Sequence, residues 1–198
     1  MDLVFLLVLP ALLWIQSWHL LGFYANPRTL GIIGVAVAIA LLSVVLFQDT
    51  IGMTPVYPEP AEGFLTLETS LSVFMLAWAA YALLVAGVYL WGFELRSLGF
   101  YSLFLWVVSA LFAVYFFLGG ELLGSGEIVH ISWLLGVVAV LLAVLSAFLF
   151  FYLALMPPGR GEPPSSPMRT VTGWFYLVFS IAIAVLGGLL LLGLDPVL

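Results

Sequence analysis

Six stretches of this chain contain no Asp, Glu, Lys or Arg and are apolar almost throughout: residues 3–24, 30–47, 69–91, 100–119, 129–156 and 171–192. A helix needs about 20 such residues to cross a hydrocarbon layer roughly 30 Å thick. The pattern predicts an all-α integral membrane protein, with six transmembrane helices forming a single domain over residues 1–198. The apolar runs are continuous rather than alternating, which argues against a porin-like barrel. The first run lacks a basic leading region and is followed by no small-x-small cleavage site. It therefore reads as a span, not as a removable signal peptide.

Composition narrows the function classes. Only 7% of the residues are charged and 65% are hydrophobic, whereas a soluble domain carries about 25% charged residues. There is too little polar surface to coat a water-soluble globule, which excludes a soluble enzyme and a disordered tail. The net charge of -6 offers no basic face for nucleic acid. With no cysteine in the chain, there is no disulfide framework, thiolate metal site or cysteine nucleophile.

The connectors between spans hold the charge. Asn26-Pro27-Arg28 is a tight turn, since Asn and Pro both favour leaving a helix. Residues 49–68 form the longest connector and contain Pro55, Pro58 and Pro60; residues 120–127 are Gly-rich and acidic; residues 157–169 are Pro-rich. The basic residues are Arg28, Arg96, Arg160 and Arg169, and they fall in the first, third and fifth connectors. In a six-span chain these connectors share one side of the membrane, which the positive-inside rule makes cytoplasmic. Both termini then lie outside, together with Asp2, Asp49, Glu59, Glu62, Glu68, Glu121, Glu127 and Asp195, while Glu94 and Glu162 stay inside. The chain reads as three helical hairpins, a repeat of topology without an evident repeat of sequence. Its expected setting is the inner (cytoplasmic) membrane, as a multi-pass protein whose first partner is the lipid bilayer.

Charges inside spans usually mark proton relays, ion pathways or gating elements. Their absence argues against a proton-coupled pump or a voltage sensor. It fits a passive route for a small neutral solute, and equally a protein that transports nothing. The polar residues at span centres are Gln16, Ser17, Ser43, Tyr81, Tyr89, Ser109, Tyr115, Ser146 and Ser180. Gln16 is the most informative, because an amide in hydrocarbon must find a partner. That partner is either a polar solute or a second helix. A serine can instead bond back to its own helix. Trp14, Trp78 and Trp106 lie deep and either line a pore or pack, whereas Trp91, Trp133 and Trp174 suit the interfacial aromatic belt. The candidate solute-pathway residues are Gln16, Trp14, Tyr81, Ser146 and Ser180.

Other chemistry is sparse. His19 lies roughly 24 Å into an inward-running helix at 1.5 Å per residue, and His130 opens the fifth span on the outer side. One metal cannot bind both, so they read as packing or interfacial residues, with a pH role open to His130. No paired carboxylate, phosphate loop, Ser-His-Asp set or metal cluster is present. The expectation is no catalytic residue, no cofactor and no metal. Gly31 and Gly34, Ala36 and Ala40, Gly87, Gly136, Gly187 and Gly188 provide small-residue contacts through which helix backbones approach closely.

Several apolar motifs carry a resemblance in order and spacing. Within the first span, the motif Phe5 to Gly22 ends in Leu20-Leu21-Gly22 before a short polar turn. Leu98-Gly99-Phe100-Tyr101-Ser102-Leu103-Phe104 opens the fourth, Leu145-Ser146-Ala147-Phe148 lies in the fifth, and Gly187 to Gly193 closes the sixth. In these motifs, and in its length and three hairpins, the chain resembles the AmiS/UreI family of six-span channels for urea and short-chain amides. The resemblance implies a channel for small neutral solutes and a homo-oligomer, hexameric in the family. It also implies departures. Gln16 stands where the family has an asparagine and keeps the amide. Ala86 or Gly87 stands near a family asparagine, Val144 near a tryptophan and Phe179 near a glutamate, so urea selectivity and acid gating do not carry over. Two other readings compete: a non-transporting accessory subunit of a larger integral membrane complex, and, more weakly, a membrane-embedded enzyme or cofactor holder.

Overall fold

The computed structural model describes residues 2–23, 26–47, 67–122, 133–155 and 167–192. Six helices take up nearly all of them: α1 (Asp2–Leu21), α2 (Pro27–Phe47), α3 (Leu67–Trp91), α4 (Leu95–Leu122), α5 (Trp133–Leu153) and α6 (Pro167–Leu191). All six are long and apolar enough to cross a membrane. No strand occurs among the described residues.

The even-numbered helices begin earlier than hydropathy indicates: α2 at Pro27 rather than residue 30, α4 at Leu95 rather than 100, and α6 at Pro167 rather than 171. The polar first turns of α2 and α4 are held by local hydrogen bonds. The Arg28 N–H donates to Asn26 Oδ1 at 3.0 Å, and Pro27 occupies the first helical position, where a missing N–H costs nothing. The Ser97 hydroxyl and the Ser97 N–H both donate to the Glu94 carbonyl, at 2.6 and 3.1 Å. Hydropathy marks what lies in hydrocarbon, and these helices run past it. The odd-numbered α1 and α3 stop at Gly22 and Gly92, whose φ values of 78° and 69° lie in the left-handed region that favours glycine.

The helices form a closed ring. Each packs on the next in sequence, α6 returns to α1, and α1 also touches α3 across the centre. The first-with-second, third-with-fourth and fifth-with-sixth hairpins are all in contact, but the tightest seams are the other three: α2–α3, α4–α5 and α6–α1. Helix α3 is the most enclosed, with 67% of its span buried against 28% for α4.

Glycines make the tight seams possible. A Cβ on Gly34 would stand 2.8 Å from the Ala82 carbonyl oxygen, one on Gly99 2.6 Å from the Ala154 nitrogen, and one on Gly187 2.9 Å from Leu6 Cβ. Lipid is as apolar as leucine, so helices in a bilayer associate through close van der Waals packing rather than hydrophobic exclusion. Backbone-to-backbone contact of this kind is what such packing requires. At the α6–α1 seam the Leu6 carbonyl faces Gly187. Pro10, inside α1, has no N–H to offer that carbonyl.

The seams also reveal a repeat that the bare sequence does not make evident. Helices α2, α4 and α6 open on Arg28-Thr29-Leu30-Gly31, Arg96-Ser97-Leu98-Gly99 and Arg169-Thr170-Val171-Thr172-Gly173. In each, the glycine packs against the end of an odd helix: Gly31 on Leu90 of α3, Gly99 on Leu153 of α5 and the following Ala154, and Gly173 on Leu20 and Leu21 of α1. The repeating unit is thus an even helix with its tight odd partner. These contacts also gather Arg28, Arg96 and Arg169 at one end of the bundle, called the arginine end below. Arg160 lies outside the described residues.

Candidate solute pathway

Two helices turn a polar stripe toward the centre of the ring. On α3, Trp78, Tyr81 and Tyr89 follow one face, with Val85 between them; on α6 the stripe is Arg169, Thr172, Tyr176 and Ser180. Spacings of three and four residues keep a stripe on one side of a helix. Trp78, Tyr81, Thr172, Tyr176 and Ser180 are fully or almost fully buried. From α1, Gln16 meets them and is only 1% exposed.

These residues form a hydrogen-bonded chain across three helices. The Tyr81 hydroxyl donates to Gln16 Oε1 at 2.8 Å. The Tyr81 and Tyr176 hydroxyl oxygens stand 3.2 Å apart. Tyr81 has one hydroxyl hydrogen and gives it to Gln16, so Tyr176 is the donor to Tyr81. The Trp78 ring meets Tyr81 edge-on at 5.3 Å. Trp78 Nε1, Tyr152 Oη and Thr172 Oγ1 are buried with no hydrogen-bond partner among the described residues. Buried polar groups are normally paired, so each unpaired one calls for an explanation.

The two ends of this polar stretch differ. Toward the end opposite the arginines, Phe5, Phe74, Phe112 and Phe116 close the centre, with ring separations of 5.5 Å for Phe5–Phe74, 4.8 Å for Phe74–Phe112 and 5.9 Å for Phe112–Phe116. Toward the arginine end, Arg169 reaches from α6 to the last turn of α1, where its Nε and Nη2 donate to the carbonyls of Leu20 at 2.8 Å and His19 at 3.0 Å. The His19 ring stands edge-on to Tyr89 at 5.0 Å. Tyr89 is within electrostatic reach of Tyr81, Tyr152 and the Arg169 guanidinium.

Of the residues singled out from sequence, the structure brings Gln16 and Tyr81 into direct contact. Ser180 lies on the same α6 stripe, but its hydroxyl donates to the Leu177 carbonyl at 2.8 Å. Ser146 likewise donates to Leu142 at 2.8 Å, so both serines satisfy their own helices. Trp14 is not in the cluster. It lies 38% exposed on the outward stripe of α1 with Leu7, Ala11 and Trp18. Its ring packs on Trp18 at 6.0 Å. The reason is angular: Trp14 and Gln16 are two positions apart, about 200° of helix rotation. Trp106, 40% exposed, also faces out, which leaves Trp78 as the buried member of the three deep tryptophans. Ala86 closes on Gly34 and Gly87 on Phe93, so an asparagine at either position would meet a packed neighbour. His130 lies outside the described residues. Among the described residues no group of three His, Cys, Asp or Glu side chains could hold a metal ion.

Tyr176 and Thr172 are the members that sequence reasoning missed. The signal was the 3-4-4 spacing of Arg169, Thr172, Tyr176 and Ser180. A span read as starting at residue 171 cut Arg169 away and hid it.

No protein-family model matches the sequence, and no curated protein matches it either. A solved structure does. The urea channel from the human gastric pathogen Helicobacter pylori superposes with a TM-score of 0.68 over 98% of both chains, at 17% sequence identity. The fold is that of a urea channel. The six-helix fold that the resemblance implied is thus matched over 98% of the chain. At this identity, the urea-channel likeness concerns the path of the backbone, and the side chains facing the centre are this protein's own.

Proposed function

We propose that this protein is a channel for small neutral solutes of the amide type, such as urea or short-chain amides, and that the Gln16–Tyr81–Tyr176 chain is the constriction such a solute must pass. The observation that carries the reading is the hydrogen-bonded trio itself, set at the centre of a ring of helices with a urea-channel fold. An amide offers a carbonyl acceptor and N–H donors in one plane. It can therefore replace the Tyr81–Gln16 bond with bonds of its own, its carbonyl taking the Tyr81 hydrogen and its N–H meeting Gln16 Oε1. Exchange of this kind lets a polar solute cross without leaving a buried group unpaired, which would cost about 1–3 kcal/mol per group. A solute with no hydrogen-bonding groups breaks the trio without replacing it and passes slowly.

In this reading no covalent chemistry takes place, and the protein is not an enzyme. The arginine end faces the cytoplasm, both termini face outward, the membrane is the inner one, and the working form is a homo-oligomer. The test is stopped-flow uptake of urea and acetamide by proteoliposomes of the purified protein. Uptake faster than in empty vesicles, and reduced by Gln16→Leu, is the expected result; wild-type uptake no faster than in empty vesicles overturns the reading.

A further inference from the structure

We propose that Thr172 and Tyr152 form a second solute-binding site, one helical turn from Tyr176 on the arginine side of the Gln16–Tyr81–Tyr176 chain. The site rests on the channel reading above, to which it adds a place where an amide is held next to the constriction.

The packing of α5 on α6 sets the two residues level. The rings of Phe148 and Phe175 stack with 4.2 Å between centroids, which fixes the register of the two helices. Helix α5 ends and α6 begins at the arginine end, so the two run antiparallel. One turn later on α5 and one turn earlier on α6 therefore reach the same depth. Those positions are Tyr152 and Thr172. Spacings of four and three residues keep each on the side of its helix that carries the stacked phenylalanine. Tyr152 also faces across the ring. Tyr89 of α3 lies within its electrostatic reach, although among the described residues α5 packs on α4 and α6 alone. Thr172 belongs to the α6 stripe, between Arg169 and Tyr176.

Both side chains are buried, Tyr152 at 3% and Thr172 at 0% exposure, and neither hydroxyl has a hydrogen-bond partner among the described residues. Other hydroxyls in the spans are satisfied within the protein. Ser17, Ser102, Ser146 and Ser180 bond back to their own helices, and Tyr101 donates to the Ala77 carbonyl of the neighbouring helix. A buried hydroxyl left alone costs free energy, so such groups normally have partners. Two of them at one depth beside the central stripe make a site for a ligand that bonds both. A hydroxyl both donates and accepts. The pair therefore suits a planar neutral amide, whose carbonyl oxygen accepts from one hydroxyl while its N–H donates to the other.

Uptake of tracer urea and acetamide by proteoliposomes of the full chain, well below saturation, is the test. Thr172→Val and Tyr152→Phe each remove a hydroxyl and nearly preserve the shape of the side chain. Each should lower uptake by about fivefold, the worth of one ordinary hydrogen bond, while Thr172→Ser should retain most of the wild-type rate. Because the two hydroxyls hold one solute, the double variant should lose less than the product of the single losses. Neither hydroxyl bonds the protein, so Thr172→Val and Tyr152→Phe should melt in mild detergent at or above the wild-type temperature. Lowered melting in both would mark them as structural and overturn the site. Uptake unchanged in both, with wild-type protein conducting, would also overturn it and leave the channel reading standing. Wild-type protein taking up neither solute would overturn both.

Discussion

The Tyr81 hydroxyl donates to the Gln16 amide oxygen at 2.8 Å, joining α3 to α1 across 65 residues of sequence in the buried centre of the bundle. Because Tyr81 also accepts from Tyr176, it is the middle of the chain, and the two tyrosines are not equivalent.

Tyr81→Phe removes both bonds and strands the Gln16 oxygen and the Tyr176 hydroxyl. Tyr176→Phe removes one bond and leaves Tyr81 still donating to Gln16. Interhelical hydrogen bonds in membranes average about 0.6 kcal/mol and reach about 1.7 kcal/mol. Tyr81→Phe should therefore cost about 1–2 kcal/mol and Tyr176→Phe roughly half as much. Thermal unfolding in mild detergent measures the order; Tyr176→Phe as the more damaging change would mean the bonds run differently.

The seam glycines divide into those that touch backbone and those that do not. A Cβ on Gly99 would meet the Ala154 nitrogen at 2.6 Å, while one on Gly188 meets nothing within 4 Å. Gly99→Ala should push α4 from α5 and destabilise by about 1–3 kcal/mol. Gly188→Ala should be neutral or stabilising by up to about 1 kcal/mol, since alanine is the better helix former. Detergent melting curves of the two variants side by side are the check.

The two polar-face candidates of α1 part company. Gln16 faces the tyrosines and Trp14 lies on the exposed stripe. Trp14→Ala should leave solute uptake within about twofold of wild type, a margin of ~0.4 kcal/mol in the barrier. Gln16→Leu should reduce uptake tenfold or more. Parallel flux assays settle the assignment, and a large loss in Trp14→Ala would return that residue to the pathway.

Orientation is open to a direct probe because the chain has no cysteine. Ser97→Cys, exposed at the arginine end, should react with a membrane-impermeant maleimide only in inside-out vesicles. Glu62→Cys, in the long connector, should react in right-side-out cells. The opposite labelling pattern would reverse the assigned sides.

Much of the fold was legible in the sequence because the bilayer imposes one requirement on every span: about 20 uncharged apolar residues. The helix starts were less so, since Pro27-Arg28, Leu95-Arg96 and Pro167-Met168-Arg169 are turns that hydropathy alone does not mark as helical. For the same reason the repeated opening, Arg-(Thr/Ser) with a glycine three or four residues after the arginine, became visible only when Gly31, Gly99 and Gly173 were seen to pack alike. The site was half legible. Gln16 stood out because an amide in hydrocarbon demands a partner, but the partner's identity depends on which helices meet, and the tight seams are not the hairpins. Sequence left open whether Trp14 lines a pore or packs, because a residue's depth in a span does not reveal its face.

The central claim is that solutes pass by exchanging hydrogen bonds with the Gln16–Tyr81–Tyr176 chain. Stopped-flow uptake of acetamide by proteoliposomes, wild type against Gln16→Leu at matched reconstitution, tests it most directly. The account predicts uptake well above empty vesicles for wild type and at least a tenfold loss in the variant. Uptake by wild-type protein equal to that of empty vesicles, or unchanged by Gln16→Leu, would contradict it.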